Sequence, residues 1–170
     1  MGLTSVGGGT GGGQYKNLVP PLTSTSKNGY KVSASSVYSS MTQDDVVKCF
    51  DRKTEDAVWN VDDYRDRIFL NYRNTNQTIT VELPQAKEAR MIVVLYTSTF
   101  KDGVGRAKAI SVSGSNDGAR YTPLTGYAPY NCGSVFMRSE VDTTKYKYYK
   151  IDMTRESEYI GIIEVMLLGK

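Results

Sequence analysis

The side chains able to do chemistry in this chain are its 18 aspartates and glutamates, 13 tyrosines, 21 lysines and arginines, and two cysteines, Cys49 and Cys132. Histidine is absent. Its absence rules out Ser-His-Asp and Cys-His nucleophile arrangements and the histidine-based zinc and iron sites. A reactive thiolate needs a neighbouring base or cation, so neither cysteine reads as a nucleophile. Cys49 stands just before Phe50-Asp51 and is expected to be a buried, inert thiol, while Cys132 lies in the polar stretch Asn131-Cys132-Gly133. Their spacing matches no metal-ligand motif, and a disulfide between them stays open. Carboxylates are numerous, but none resembles a glycosidase pair, and there is no glycine-rich phosphate loop. The chain is therefore not expected to be an enzyme.

What remains is binding chemistry. Residues 60–76, NVDDYRDRIFLNYRNTN, mix Tyr64, Tyr72, Arg65, Arg67 and Arg73 with Asp62, Asp63 and Asn71. Tyr127 and Tyr130 stand on a second loop, 126–133. Aromatic faces next to groups capable of bidentate hydrogen bonds suit a polar ligand, and the same residues are enriched where proteins meet proteins. Phe69 and Leu70 are read as either core plugs or interface anchors. Net charge is only +3 and spread along the chain, which gives no footprint for nucleic acid. Residues 44–66 carry eight acids against four bases and could attract a hard cation, although a solvated acidic loop is the commoner outcome.

The elements that must position these loops are strands. Gln77–Leu83 alternates, with Ile79, Val81 and Leu83 on one face. Arg90–Tyr96 is a continuous apolar run, expected of a strand buried on both sides or near the sandwich centre. Ala107–Val112 alternates and runs into the turn Ser115-Asn116-Asp117-Gly118; the segments 134–141, 145–153 and 159–168 complete the set. A short helical turn is expected over Thr42–Lys48, capped by Thr42. Ahead of the strands, residues 1–13 hold seven glycines and form an arm with little to bury. Residues 14–30 read as an extended linker stiffened by Pro20 and Pro21, with a turn at Asn28-Gly29. Residues 31–170 are the domain, an all-β antiparallel sandwich.

Three segments of that domain resemble the discoidin family, which includes the coagulation-factor type C domains and the family 32 carbohydrate-binding modules. In 32–59, KVSASS, then CFD and Trp59 resemble the family's opening A-S-S, A-F-D-G and W. Residues 105–124, GRAKAISVSGSNDGARYTPL, resemble its G-R strand followed by S-N-D-G and an aromatic-x-x-Leu. Residues 146–169, YKYYKIDMTRESEYIGIIEVMLLG, resemble its close. The match covers roughly residues 30–170 and implies an eight-stranded antiparallel jelly-roll β-sandwich, galactose-binding-like, with the glycine-rich arm outside it.

The resemblance also implies roles. Trp59 packs in the core rather than stacking on a sugar. The ligand-binding loops lie at one end of the sandwich, and Tyr64, Arg65, Arg67, Tyr72, Arg73, Tyr127 and Tyr130 become candidates for a glycan on a cell surface. A structural calcium held by Asp51, Asp56 and Glu164 is the one cofactor implied; the alternative is that Asp51 caps its loop through the backbone and no metal binds. Here Arg52 stands where the family has glycine. The expected function is a non-catalytic carbohydrate-binding or adhesion module on a larger oligomeric assembly. It is made in the cytoplasm without a signal peptide, joined to neighbouring subunits through residues 1–13, and virion-associated, as in a bacteriophage tail or capsid appendage. A structural cement protein that binds no glycan is the competing reading. Membrane insertion is not expected, because the long loop is amphoteric and acidic at its start.

Overall fold

The computed structural model describes residues 14–53, 69–96, 99–100, 103–105, 107–124, 128–130, 133–138 and 141–170. Trp59, Cys132, the arm 1–13 and residues 60–68 of the long loop lie outside them.

Two antiparallel sheets face each other. One follows the order β1 (Lys16–Asn17), β14 (Gly161–Gly169), β6 (Ala89–Tyr96), β12 (Gly133–Met137), β11 (Ala128–Tyr130), and β4 (Phe69–Leu70) pairs with the start of β14. The other runs β10 (Thr122–Leu124), β9 (Ala107–Ser115), β13 (Tyr146–Arg155), β5 (Gln77–Lys87), β3 (Tyr30–Ala34), β2 (Ser26–Lys27). A hairpin of β7 (Thr99–Phe100) and β8 (Gly103–Val104) stands apart. The sandwich is the galactose-binding-like one that the motif order implies. Strands of two or three residues laid along its edges carry the number beyond eight.

The core lies between the sheets. Ile79, Val81 and Leu83 of β5 and Tyr149, Ile151 and Met153 of β13 are buried on one side, and Ile92 and Val94 of β6 with Val165 and Leu167 of β14 on the other. The period-2 alternation puts every second side chain inward. In β6, Met91, Val93 and Leu95 are only half-buried, so the apolar run is covered unequally on its two faces rather than sealed on both. A register shift between Ile162 and Glu164 breaks the alternation in β14, where five residues in succession, Gly161 to Val165, are buried.

The turn expected at Thr42 is a 3-10 helix, Gln43–Phe50, longer than the sequence suggested. The Asp45 carboxylate accepts from the Thr42 backbone N–H at 2.7 Å and its hydroxyl at 3.1 Å. Val46, Cys49 and Phe50, spaced for one face, are buried. Cys49 is a free thiol whose burial pushes its pKa well up.

Segment 14–30 is extended, and it is also packed. Asn17 and Lys16 pair with the end of β14, while Val19 and Leu22 enter the core. Asn28 and Gly29, at φ 53° and 80°, form the two-residue turn of the β2–β3 hairpin, the conformation that Asn-Gly adopts without strain.

Candidate functional site

Strand register decides which loops meet. Ala34 pairs with Ile79, Met153 with Gln77, Ile162 with Tyr96 and Gly133 with Leu95. Connections 35–42, 71–76 and 156–160, and the β11–β12 turn, therefore leave at one end of the sandwich, here the loop end.

Two buried amides build it. Gln77 is 1% exposed, and its Oε1 accepts from the Ser35 hydroxyl at 2.9 Å and from the backbone N–H of Ser35 at 3.1 Å and Ser36 at 3.2 Å. Its Nε2 donates to the Ser36 carbonyl at 2.7 Å. One side chain thus fixes the start of loop 35–42 to β5. Asn71, fully buried, accepts from the Ile160 N–H at 2.7 Å and donates to the Thr75 carbonyl, tying loop 71–76 to the entry of β14. Burial without partners would be costly for either amide, so each locks its loop as long as the fold holds.

Between the amides runs a tight turn. The Thr75 hydroxyl donates to the Tyr72 carbonyl at 2.6 Å, and Asn74 sits at φ 61°, which asparagine tolerates. Asn74 N–H donates to the Glu158 carbonyl at 2.8 Å. The turn holds Tyr72 out into solvent, 54% exposed, and sets the Arg73 guanidinium 2.5 Å from Glu158 Oε1. That contact, with the nearby Glu158 charge, raises the arginine pKa further. Tyr38 and Tyr159 meet edge to face, ring centroids 5.6 Å apart at 72°, near Arg73.

Of the residues singled out from sequence, Tyr72 and Arg73 stand on this platform, and the backbone of Tyr130, at the β11–β12 turn, reaches the same end. Tyr64, Arg65, Arg67 and Tyr127 lie outside the described residues. Phe69 is fully buried, which makes it a core plug. Sequence reasoning did not single out Tyr38, Glu158 and Tyr159. Their one signal was position, since the connection before a closing strand must emerge beside the loop that precedes β5.

The implied calcium ligands are placed differently. Glu164 is 0% exposed, and both its oxygens are engaged by Arg52: Oε2 by the backbone N–H at 3.0 Å, Oε1 by the guanidinium. Asp51 Oδ1 accepts from the Lys53 N–H at 2.9 Å, the backbone-capping geometry. Asp56 lies outside the described residues. Among the described residues no three acidic or cysteine side chains gather as a metal would require, so the donors on view do not fit the ion.

No family model and no curated protein matches the sequence. Solved structures do share its fold. A family 32 carbohydrate-binding module from Clostridium perfringens, in complex with GalNAc-β-1,3-galactose, is 15% identical with a TM-score of 0.60, covering 84% of this chain and 96% of its own. Another from C. perfringens, in complex with galactose, is 14% identical at 0.57, covering 82% and 93%. Chitosan-binding module 1 of a chitosanase/glucanase from Paenibacillus sp. IK-5 is 14% identical at 0.63, covering 91% and 99%. At these identities the likeness establishes the fold alone, a galactose-binding-like β-sandwich.

Proposed function

We propose that the chain is a non-catalytic carbohydrate-binding module that takes its sugar at the loop end, against Tyr72. The observation that carries this reading is an exposed aromatic ring held on a rigid turn beside an exposed Arg73–Glu158 pair. A pyranose has an apolar C–H face and a rim of hydroxyls. Tyr72 supplies the flat surface, while the guanidinium and carboxylate supply donors and acceptors for neighbouring hydroxyls. Tyr38 and Tyr159 form a second aromatic wall. Tyr64, Arg65, Arg67, Tyr127 and Tyr130 belong to the same proposal, as contacts from the adjoining loops. The ligands of the structural neighbours, galactose, a GalNAc disaccharide and chitosan, support a glycan as the partner. Lack of histidine supports binding without catalysis.

The finer reading is an adhesion module displayed on a larger assembly, a virion such as that of a bacteriophage, with residues 1–13 joining neighbouring subunits. Its support is composition: a seven-glycine arm can lie close against another backbone. The cement-protein alternative loses one of its anchors, because Phe69 is occupied in the core.

A glycan array probed with the purified chain tests the reading. Binding to a defined set of glycans is expected. A blank array, from protein shown to be folded by its thermal transition, contradicts it.

A further inference from the structure

Among the described residues Glu164 is the one fully buried carboxylate, set between Ile163 and Val165 on β14. A buried carboxylate without a counter-charge is not sustained, and such positions are met by a metal ion or by a guanidinium. In this chain the guanidinium is present. Arg52 closes on Glu164 through both its backbone N–H and its side chain, and its other terminal nitrogen donates to the Val19 carbonyl. Val19 is itself fully buried, and a second tie from the Leu22 N–H to the Phe50 carbonyl, 3.0 Å, runs alongside. Three stretches distant in sequence are thereby joined: the packed N-terminal segment, the turn after the 3-10 helix, and β14.

The backbone at Arg52 sharpens the point. Its φ is 66°, in the left-handed region that glycine occupies freely and an arginine only under strain. A strained residue persists where its side chain gains something that glycine cannot supply.

We propose that Arg52 is a built-in cation that takes the place of a structural calcium: it neutralises Glu164, clasps the N-terminal segment to β14, and leaves the fold without need of the metal at this point. The proposal rests on Arg52, Glu164 and Val19 and is independent of the glycan reading.

Thermal unfolding tests it. The melting temperature of the native chain should be the same in EGTA and in millimolar calcium chloride; a rise of several degrees with calcium would overturn the proposal. Arg52→Gly gives a sign test, because glycine relieves the backbone strain while removing the cation. The clasp requires a fall of about 5 to 10 °C, the scale of breaking a buried pair in a chain of this size. An unchanged or higher value would show Arg52 to be merely tolerated. Should Arg52→Gly not fold, the double variant Arg52→Gly with Glu164→Gln removes the charge that needed neutralising. Recovery of a cooperative transition supports the clasp, and failure to recover overturns it.

Discussion

The two ends of the sandwich hold their loops by different chemistry. At the loop end the loops are framed by the buried neutral amides Asn71 and Gln77; the Arg52–Glu164 pair lies inside, at the register of Leu95, while Arg73 and Glu158 face solvent. At the far end the charges are inside. Arg138, on the strand exit after β12, has a fully buried side chain. It donates to the Ala89 carbonyl at 3.3 Å and the Thr144 carbonyl at 2.8 Å, pairs with Asp142, and lies 5.7 Å over the Tyr146 ring. Arg90 pairs with Glu88 nearby, and the Tyr149 hydroxyl donates to the Lys87 carbonyl at 2.7 Å while accepting from the Ala89 N–H at 2.9 Å. Charges spent on internal acceptors close an end; charges left outside a rigid amide frame are available to a ligand. The same residue type, arginine, serves structure at the closed end and, in the function proposed above, recognition at the other.

The largest effect should come from the closed end. Arg138→Met keeps the aliphatic stem but strands the buried Ala89 carbonyl, the partly buried Thr144 carbonyl and the Asp142 carboxylate. A loss of about 3 kcal/mol is expected, or a fall of roughly 6 to 12 °C in melting temperature. A change under 2 °C, measured by differential scanning fluorimetry, would mean that charge does not hold this end.

Asn71→Ala should be milder and act on both properties. It leaves the Ile160 N–H and Thr75 carbonyl unmatched, costing about 1 to 3 kcal/mol, and it frees the turn that carries Tyr72. Urea unfolding together with glycan titration would show stability and affinity falling in one variant. Full affinity in a destabilised Asn71→Ala protein would separate the frame from the site.

The smallest effect is one of pH. Arg138, through its hydrogen bond, holds the Asp142 carboxyl down to about 2. A depressed carboxylate stabilises the fold above its ordinary pKa, and the contribution is lost as pH falls through the folded value. The native chain should thus lose stability between about pH 4 and pH 2. With the side chain a third exposed, Asp142 should account for on the order of 1 kcal/mol of that loss after solvent screening. Asp142→Asn should flatten the slope in that window; an identical acid limb in both proteins would assign it to other carboxylates.

How much of this was legible beforehand differs between the frame and the site. Alternation over 77–83 and the Asn28-Gly29 and Ser115–Gly118 turns are local signals, and the strands and turns stand where they pointed. The β6 run fitted either two buried faces or a central place, and the strand lies in the middle of its sheet with one face only half-covered, because apolar continuity does not say how well each face is covered. Within the site, Tyr72 and Arg73 were visible as a pair of residue types. Their partner Glu158 lies 85 positions away and is brought alongside only by the return of β13 into β14. Gln77 read as the polar start of an alternating strand; that its amide would be buried as the hub of another loop is a tertiary fact. Arg52 was visible as a departure from a family glycine, but its reach to Val19 depends on the N-terminal segment, which composition presented only as a linker.

The central claim is that the exposed face at the loop end binds sugar, and isothermal titration of the best glycan from an array into the native chain and into Tyr72→Ala with Arg73→Ala tests it most directly. Since neither side chain is buried, the double variant should melt within about 2 °C of the native protein, as surface changes do. Loss of one stacking face and one charge-assisted contact should weaken its binding by at least about tenfold. Equal affinity in the two folded proteins would contradict the account and place the sugar away from Tyr72.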